Sequence, residues 1–184
     1  MRGLRMSSTA PGLLAAAMAS ALMLTAFSAS AHGPTRQKAS ETIEIAAPAD
    51  KVWAVIGNFD ALKDWHPAVA SSAADKGNEP GSVRTVELKG GGSLVETLQK
   101  YDASGMSYTY RAKDGGALPV SNYTSTISVR GDGDKSKVEW RGAFYRAFPN
   151  NDPPPDQNDE AAVNAITGVY TSGLANLKKI VEGK

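Results

Sequence analysis

Arg84 and Glu96 carry charge in apolar company. Arg84 alternates with Val86 and Leu88, and Glu96 with Leu94 and Leu98, so each shares one face of a β-strand with aliphatic neighbours. Aromatic residues fall in the same way: Tyr108 and Tyr110 with Met106, Tyr123 and Ser125 with Ile127, and Trp140 with Val138 and Phe144. The intervening positions are mostly Thr, Ser, Lys, Arg, Glu and Asn. A face with a purely structural task would be Val, Ile and Leu throughout. Three chemistries fit. Arg84 and Glu96 can be a buried structural ion pair. They can be the polar anchor of a ligand cavity lined by Arg84, Glu96, Tyr108, Tyr110, Tyr123, Ser125, Trp140 and Tyr170, where unpaired charge is costly and therefore selective. Or Glu96 can act as a general acid/base, with Arg84 and Tyr110 orienting a carbonyl, in a cyclase or dehydratase. The absence of an inward histidine favours binding over catalysis.

Hairpin geometry predicts how close the charges lie. With Gly90–Gly92 as the loop, Leu88 faces Leu94 and Val86 faces Glu96. Arg84 is then the diagonal neighbour of Glu96, roughly 7–8 Å away at the backbone. A two-residue loop would pair opposite faces and is rejected by the same alternation.

Other chemistries are excluded. There is no cysteine, hence no disulfide, no thiol nucleophile and no Cys-ligated metal. The two histidines are His32 and His66. A copper chelate on a free N-terminal His32 would need His66 beside it, and packing or capping is the better reading of Trp65-His66-Pro67. No Ser/His/Asp set, phosphate-binding loop or metal-spaced cluster occurs, so no metal and no cofactor is expected. Gly90–Gly92 precedes a strand rather than a helix and is no phosphate cradle.

The element that must hold this face in place is the last one. Val163, Ile166, Tyr170, Leu174, Leu177 and Val181 form one stripe of a helix over Asp156–Glu182, capped by Asp156 or Asn158 after Pro153-Pro154-Pro155. At 1.5 Å per residue it would span roughly 40 Å and needs a broad partner. The middle of the chain supplies one. Strand 1 is expected over Glu41–Ala46, short helices over Ala49–Ile56 and Phe59–Trp65, and a weakly written strand over Val69–Asp75. Clearer strands follow at Val83–Lys89, Ser93–Tyr101, Met106–Lys113, Asn122–Arg130 and Lys137–Arg146, punctuated by glycine turns. The class is α+β: a curved seven-stranded antiparallel sheet around a long C-terminal helix, with two short helices after strand 1.

The first 31 residues read as an export signal. Arg2 and Arg5 precede an apolar, acid-free run from Leu13 to Phe27, and Ala29-Ser30-Ala31 forms a cleavage site, too short a segment for a comfortable bilayer span. Cleavage would leave His32 as the first residue, a polar arm over 32–39 and a single domain over 40–184, soluble in the periplasm with no membrane span. Without Arg2 and Arg5 the chain carries 18 basic against 19 acidic residues. No lysine–arginine stripe appears, so nucleic acid is not an expected partner. Between Ala147 and Leu177 stand four acids (Asp152, Asp156, Asp159 and Glu160) and no base, a patch that a basic partner could recognise.

Several segments carry a family resemblance: Ala47-Pro48-Ala49-Asp50-Lys51-Val52-Trp53, Trp65-His66-Pro67, Gly81-Ser82-Val83-Arg84, Glu96, Leu118-Pro119-Val120-Ser121-Asn122-Tyr123, Val138-Glu139-Trp140 and Gly173-Leu174-Ala175-Asn176-Leu177-Lys178. Together with the element order, they resemble the helix-grip fold of the START/Bet v 1-like (SRPBCC) superfamily, in particular its polyketide cyclase/dehydrase-like group. The resemblance implies a hydrophobic cavity between sheet and long helix, with Gly90–Gly92 and Gly115–Val120 over its mouth, and a small hydrophobic or lipid ligand. It does not imply one activity. The exported form, with Asn150-Asn151-Asp152-Pro153-Pro154-Pro155, is further similar to periplasmic accessory proteins of bacterial methanol oxidation. That similarity implies methanol dehydrogenase and its cytochrome as partners and a non-enzymatic role.

Overall fold

The computed structural model describes residues 33–183; the expected leader, His32 and any copper chelate on it lie outside the described residues. Seven antiparallel strands and three α-helices follow in the order β1 (Gln37–Ile45), α1 (Ala49–Ile56), a 3-10 turn (Phe59–Ala61), α2 (Leu62–Trp65), β2 (Val69–Ala74), β3 (Val83–Leu88), β4 (Ser93–Asp102), β5 (Ser107–Asp114), β6 (Val120–Asp132), β7 (Lys135–Arg146), a second 3-10 turn (Pro155–Gln157) and α3 (Asp159–Glu182). The strands form one sheet in the order β1-β7-β6-β5-β4-β3-β2. This is the expected α+β helix-grip architecture.

The helix α3 starts three residues later than the apolar stripe suggests. Pro155 opens a tight turn instead, and Asn158 is the cap, its Oδ1 accepting the Ala161 N–H at 2.7 Å. Asp159 and Glu160 occupy the first turn and Lys179 the last, matching the helix dipole. Ile166, Tyr170, Leu174 and Leu177 are fully buried as expected, while Val163 and Val181 pack at the margin. Each buried Leu or Ile contributes about 1.5–3 kcal/mol, which holds α3 on the sheet far more firmly than propensity would.

Strand β1 is longer than its apolar residues advertise. Gln37, Lys38 and Ala39, expected in the loose arm, pair with Phe144, Ala143 and Gly142 of β7. An edge strand needs only one buried face, so polar residues such as Lys38 can stay inside the ladder.

The β3–β4 register also differs from expectation. Arg84 sits directly opposite Glu96, and Val86 opposite Leu94. Leu88 donates to Gly92 O and accepts from Gly91 N–H, so the loop is Lys89-Gly90-Gly91. Gly91 and Gly92 both take positive φ, +93° and +82°, a conformation that costs glycine little. The shift is by two residues along β4, so every side chain keeps its face.

Candidate ligand site

The direct register brings Arg84 and Glu96 into contact. Arg84 Nε and Nη2 both donate to Glu96 Oε2, at 3.0 and 2.6 Å. Nη1 donates to the Phe59 carbonyl, and the guanidinium lies 4.0 Å over the Phe59 ring. Burial is the largest single influence and works against the Arg84 charge, but Glu96, Tyr108 and Tyr110 together outweigh it, and the Arg84 pKa stands above its ordinary value. Both residues are buried. Because Arg84 uses a single carboxylate oxygen, Glu96 Oε1 has no partner among the described residues.

A second polar cluster lies further along the sheet. Trp140 Nε1 donates to Tyr110 OH (3.1 Å) and Ser125 Oγ (3.0 Å). Tyr110 OH meets Tyr123 OH at 3.1 Å, Tyr123 OH meets Tyr170 OH at 2.9 Å, and Tyr170 OH meets Ser125 Oγ at 2.9 Å. Ser125 Oγ is also 3.0 Å from the Arg141 carbonyl. The direction of every proton follows. A carbonyl only accepts, so the Ser125 hydrogen goes to Arg141 O and Tyr170 must donate to Ser125. Tyr123 then donates to Tyr170, and Tyr110 to Tyr123. Each hydroxyl gives once and receives at least once. Burial pushes the Tyr110 and Tyr123 hydroxyls well above the usual phenol range and Tyr170 above it as well, so none is available as a phenolate.

Two glycines make room for these contacts. A Cβ at position 142 would lie 2.3 Å from Tyr170 OH, and one at 173 would lie 2.6 Å from His66 Cδ2 and 2.8 Å from Trp140 Cζ3. Such distances are far inside van der Waals contact. Gly142 therefore admits the helix tyrosine to the sheet, and Gly173 lets α3 close over the His66 and Trp140 rings.

Between the clusters lies a cavity of about 230 Å³. Its apolar wall is Leu62, Ala68, Val69, Val86, Leu88, Leu94, Leu118 and Val169, and its polar groups belong to Glu96, Tyr110, Tyr123, Trp140 and His66. Leu118 comes from the loop between β5 and β6. That loop is tied to the β3–β4 hairpin by Ala117 N–H donating to Ser93 O at 3.1 Å. His66 is buried; its Nδ1 accepts from Ala68 N–H and its Nε2 lies 3.0 Å from Val169 O, so the neutral ring carries its proton on Nε2. Burial lowers the His66 pKa, outweighing the Val169 contact that would raise it.

Four of the sequence-predicted cavity residues line this space: Glu96, Tyr110, Tyr123 and Trp140. Arg84, Tyr108, Ser125 and Tyr170 are buried in the surrounding wall instead. Arg84 in particular stands behind Glu96 with all three nitrogens committed, so it cannot orient a ligand carbonyl. Sequence reasoning missed the contributions of Leu62, Ala68 and Val169 to the lining; it read His66 as packing or capping and expected no inward histidine, whereas His66 lines the cavity, so that argument against catalysis falls. The Trp65-His66-Pro67 signal was visible; that Val169 on α3 would meet it was not. Of the four acids, Asp152, Asp156 and Glu160 are exposed, but Asp159 is engaged: it pairs with Arg146 Nη1 at 3.1 Å and accepts from Thr35 Oγ1 at 2.9 Å. Among the described residues no group of acids and histidines could hold a metal ion, and no helix is long and apolar enough to cross a membrane.

A sheet closed by a long helix over an apolar cavity with a few convergent polar groups defines a helix-grip architecture. The chain belongs to the family described as polyketide cyclase / dehydrase and lipid transport, whose pattern matches residues 36–182. No curated protein matches the sequence. Among solved structures, an uncharacterised protein from Bacillus thuringiensis is 31% identical, with a TM-score of 0.67 over 79% of this chain and 99% of that one. The protein XoxI from Bacillus cereus is likewise 31% identical, with a TM-score of 0.67 over 79% and 95%. The Zhui aromatase/cyclase from Streptomyces sp. R1128 shares the fold at 15% identity, with a TM-score of 0.64 over 81% and 93%.

Proposed function

We propose that this is an exported binding protein that holds a small hydrophobic molecule between sheet and helix. The observation that carries the reading is the cavity of about 230 Å³, walled by aliphatic side chains around one carboxylate oxygen left unpaired. Binding is favoured over turnover because a cyclase or dehydratase needs an acid/base and something to polarise a carbonyl. Glu96 could supply the first. Arg84 faces away, and the tyrosine hydroxyls give their hydrogens to one another. Calorimetric titration of the purified protein with one- and two-ring aromatic compounds should show saturable binding, and Leu118→Trp, which fills the mouth from a half-buried loop position, should abolish it without loss of melting temperature. Turnover of an aromatic or polyketide-like substrate that is lost in Glu96→Gln would replace binding by the enzyme reading.

A second reading, an accessory role beside methanol dehydrogenase and its cytochrome, draws on the exposed Asp152, Asp156 and Glu160. These acids could steer a basic partner, and the attraction should fade as the Debye length shrinks from about 10 Å at 0.1 M salt to about 3 Å at 1 M. Added protein should raise electron transfer from the dehydrogenase at low salt only, and reversing these three acids to lysine should remove the effect. Asp159 is left out of that variant because it supports Arg146. No stimulation at any salt concentration would sink this reading.

A further inference from the structure

The side chains that line the cavity accept hydrogen bonds and have none left to give. Tyr110 and Tyr123 pass their hydrogens down the chain that ends at Arg141 O. Trp140 Nε1–H is held by Tyr110 and Ser125, and His66 Nε2–H by Val169 O. Against these stands Glu96, whose Oε1 is open because Arg84 uses only Oε2. Lone pairs therefore face the cavity, and no side-chain N–H or O–H does.

We infer that this cavity selects a neutral molecule of one or two fused rings that carries its own O–H or N–H, seated on Glu96 Oε1, and rejects ketones of the same size. The inference rests on the reading that the cavity binds a ligand. Size follows from volume: a cavity of about 150 Å³ holds benzene, so about 230 Å³ holds roughly nine to ten heavy atoms. Three-ring compounds and long acyl chains exceed it. Neutrality follows from charge. Arg84 already balances Glu96, and the remaining wall is apolar, so an ammonium ion would be desolvated without a countercharge of its own. The donor requirement follows from the accounting above. A ligand that covers Oε1 shuts it off from solvent and must supply a hydrogen bond in solvent's place. A ketone would set its oxygen against the carboxylate oxygen and leave a buried acceptor unmatched.

Two probes of one shape test this: 2-indanol, which donates, and 2-indanone, which only accepts. Calorimetric titration of the purified protein at pH 7 should show 2-indanol binding about tenfold tighter or more. In Glu96→Gln the amide carbonyl takes over the bonds from Arg84 and the NH₂ group turns to the cavity, so the preference should invert. Tyr123→Phe is the second variant, informative even where Glu96→Gln fails to fold. It removes the acceptor of the Tyr110 hydrogen, which then becomes free for the ligand, so 2-indanone should gain and the ratio should narrow. Equal binding of the two probes, or tighter ketone binding, overturns the donor rule while the cavity reading stands. Ratios unchanged in a folded variant overturn the assignment of the rule to these groups. Binding of neither probe overturns the cavity reading and this inference with it.

Discussion

In the hydroxyl chain of Tyr110, Tyr123, Tyr170 and Ser125 every hydrogen is committed, whereas Glu96, on the same face of the same sheet, keeps one oxygen open. Both clusters are buried, and both join distant parts of the chain. The hydroxyl cluster couples α3 to β6 and β7 through Tyr170 and Ser125. The ionic cluster couples β3 to β4 and, through Phe59, to the turn before α2. The difference lies in arithmetic. Four hydroxyls, one indole and one carbonyl can close on themselves. A guanidinium that uses one carboxylate oxygen and one carbonyl cannot exhaust a carboxylate. The closed cluster therefore works as structure, and the open one offers a ligand something to bind.

The harshest way to break this comparison is to strip the ionic cluster of one member. Glu96→Leu leaves a fully buried guanidinium with one carbonyl and two ring faces for company, and should cost roughly 3–5 kcal/mol in chemical denaturation. Arg84→Met should cost less, because Glu96 borders the cavity and is not sealed in the wall as the guanidinium is. The double variant Arg84→Met/Glu96→Leu should recover most of the loss. Single variants that unfold like the wild type would mean that the pair is hydrated and that the two clusters do not differ.

The hydroxyl chain should respond more mildly and without directional preference. Tyr123→Phe strands the Tyr110 hydrogen and removes the donor to Tyr170, a loss of about 1–3 kcal/mol. Ser125→Ala should cost a similar amount, because Tyr170 loses its acceptor and Arg141 O its donor. The two changes touch one connected network, so their sum should exceed the double variant's cost. Strict additivity, measured from the same unfolding curves, would show that the hydroxyls act as separate pairs.

The open cluster was more legible in the sequence than the closed one. Period-two alternation alone put Arg84 and Glu96 on one inner face, and only their offset was misjudged, because loop chemistry at Gly91 and Gly92 set the turn. Alternation also put Tyr110, Tyr123, Ser125 and Trp140 on that face. It could not say which of them would touch a cavity and which would touch Tyr170, since that depends on where α3 lies and on Gly142 leaving space for a hydroxyl. The outer face was less legible still. No segment carries a basic stripe, yet the pairing of β1 with β7 brings Arg36, Lys38 and Arg141 around one hollow, cations that the linear chain keeps apart. Among the helices only the start of α3 was misplaced, for a local reason: Pro155 favours a turn as readily as a first helical residue, and Asn158 settled the start.

His66 gives the smallest and sharpest test, because it touches both regions. It lines the cavity with Glu96 and meets the Trp140 ring edge-on, with centroids 6.0 Å apart. Burial lowers its pKa, and Lys89 adds to that effect against the contact with Val169. Below the ordinary histidine pKa near 6.5 the unfolded chain binds a proton that the folded chain refuses, so stability must fall as pH drops through that value and until the folded group protonates. Asp75 and Asp102 also have lowered pKa values, through hydrogen bonds to their carboxylates, but their loss of stability belongs to the carboxylate range further down. Melting curves should therefore show a lower midpoint at pH 5.5 than at pH 7.5. His66→Gln, which keeps a donor for Val169 O but does not titrate, should flatten that slope, by at most about 1.4 kcal/mol per pH unit. Protonation would also take the ring nitrogen from Ala68 N–H, at the cavity wall beside Val69. The same acid shift should thus weaken 2-indanol binding in the wild type and leave the hydroxyl chain untouched, as the hydroxyls of Tyr110, Tyr123 and Tyr170 titrate only far above neutrality. A slope that survives in His66→Gln would assign the acid sensitivity to another group and leave the cavity wall indifferent to pH.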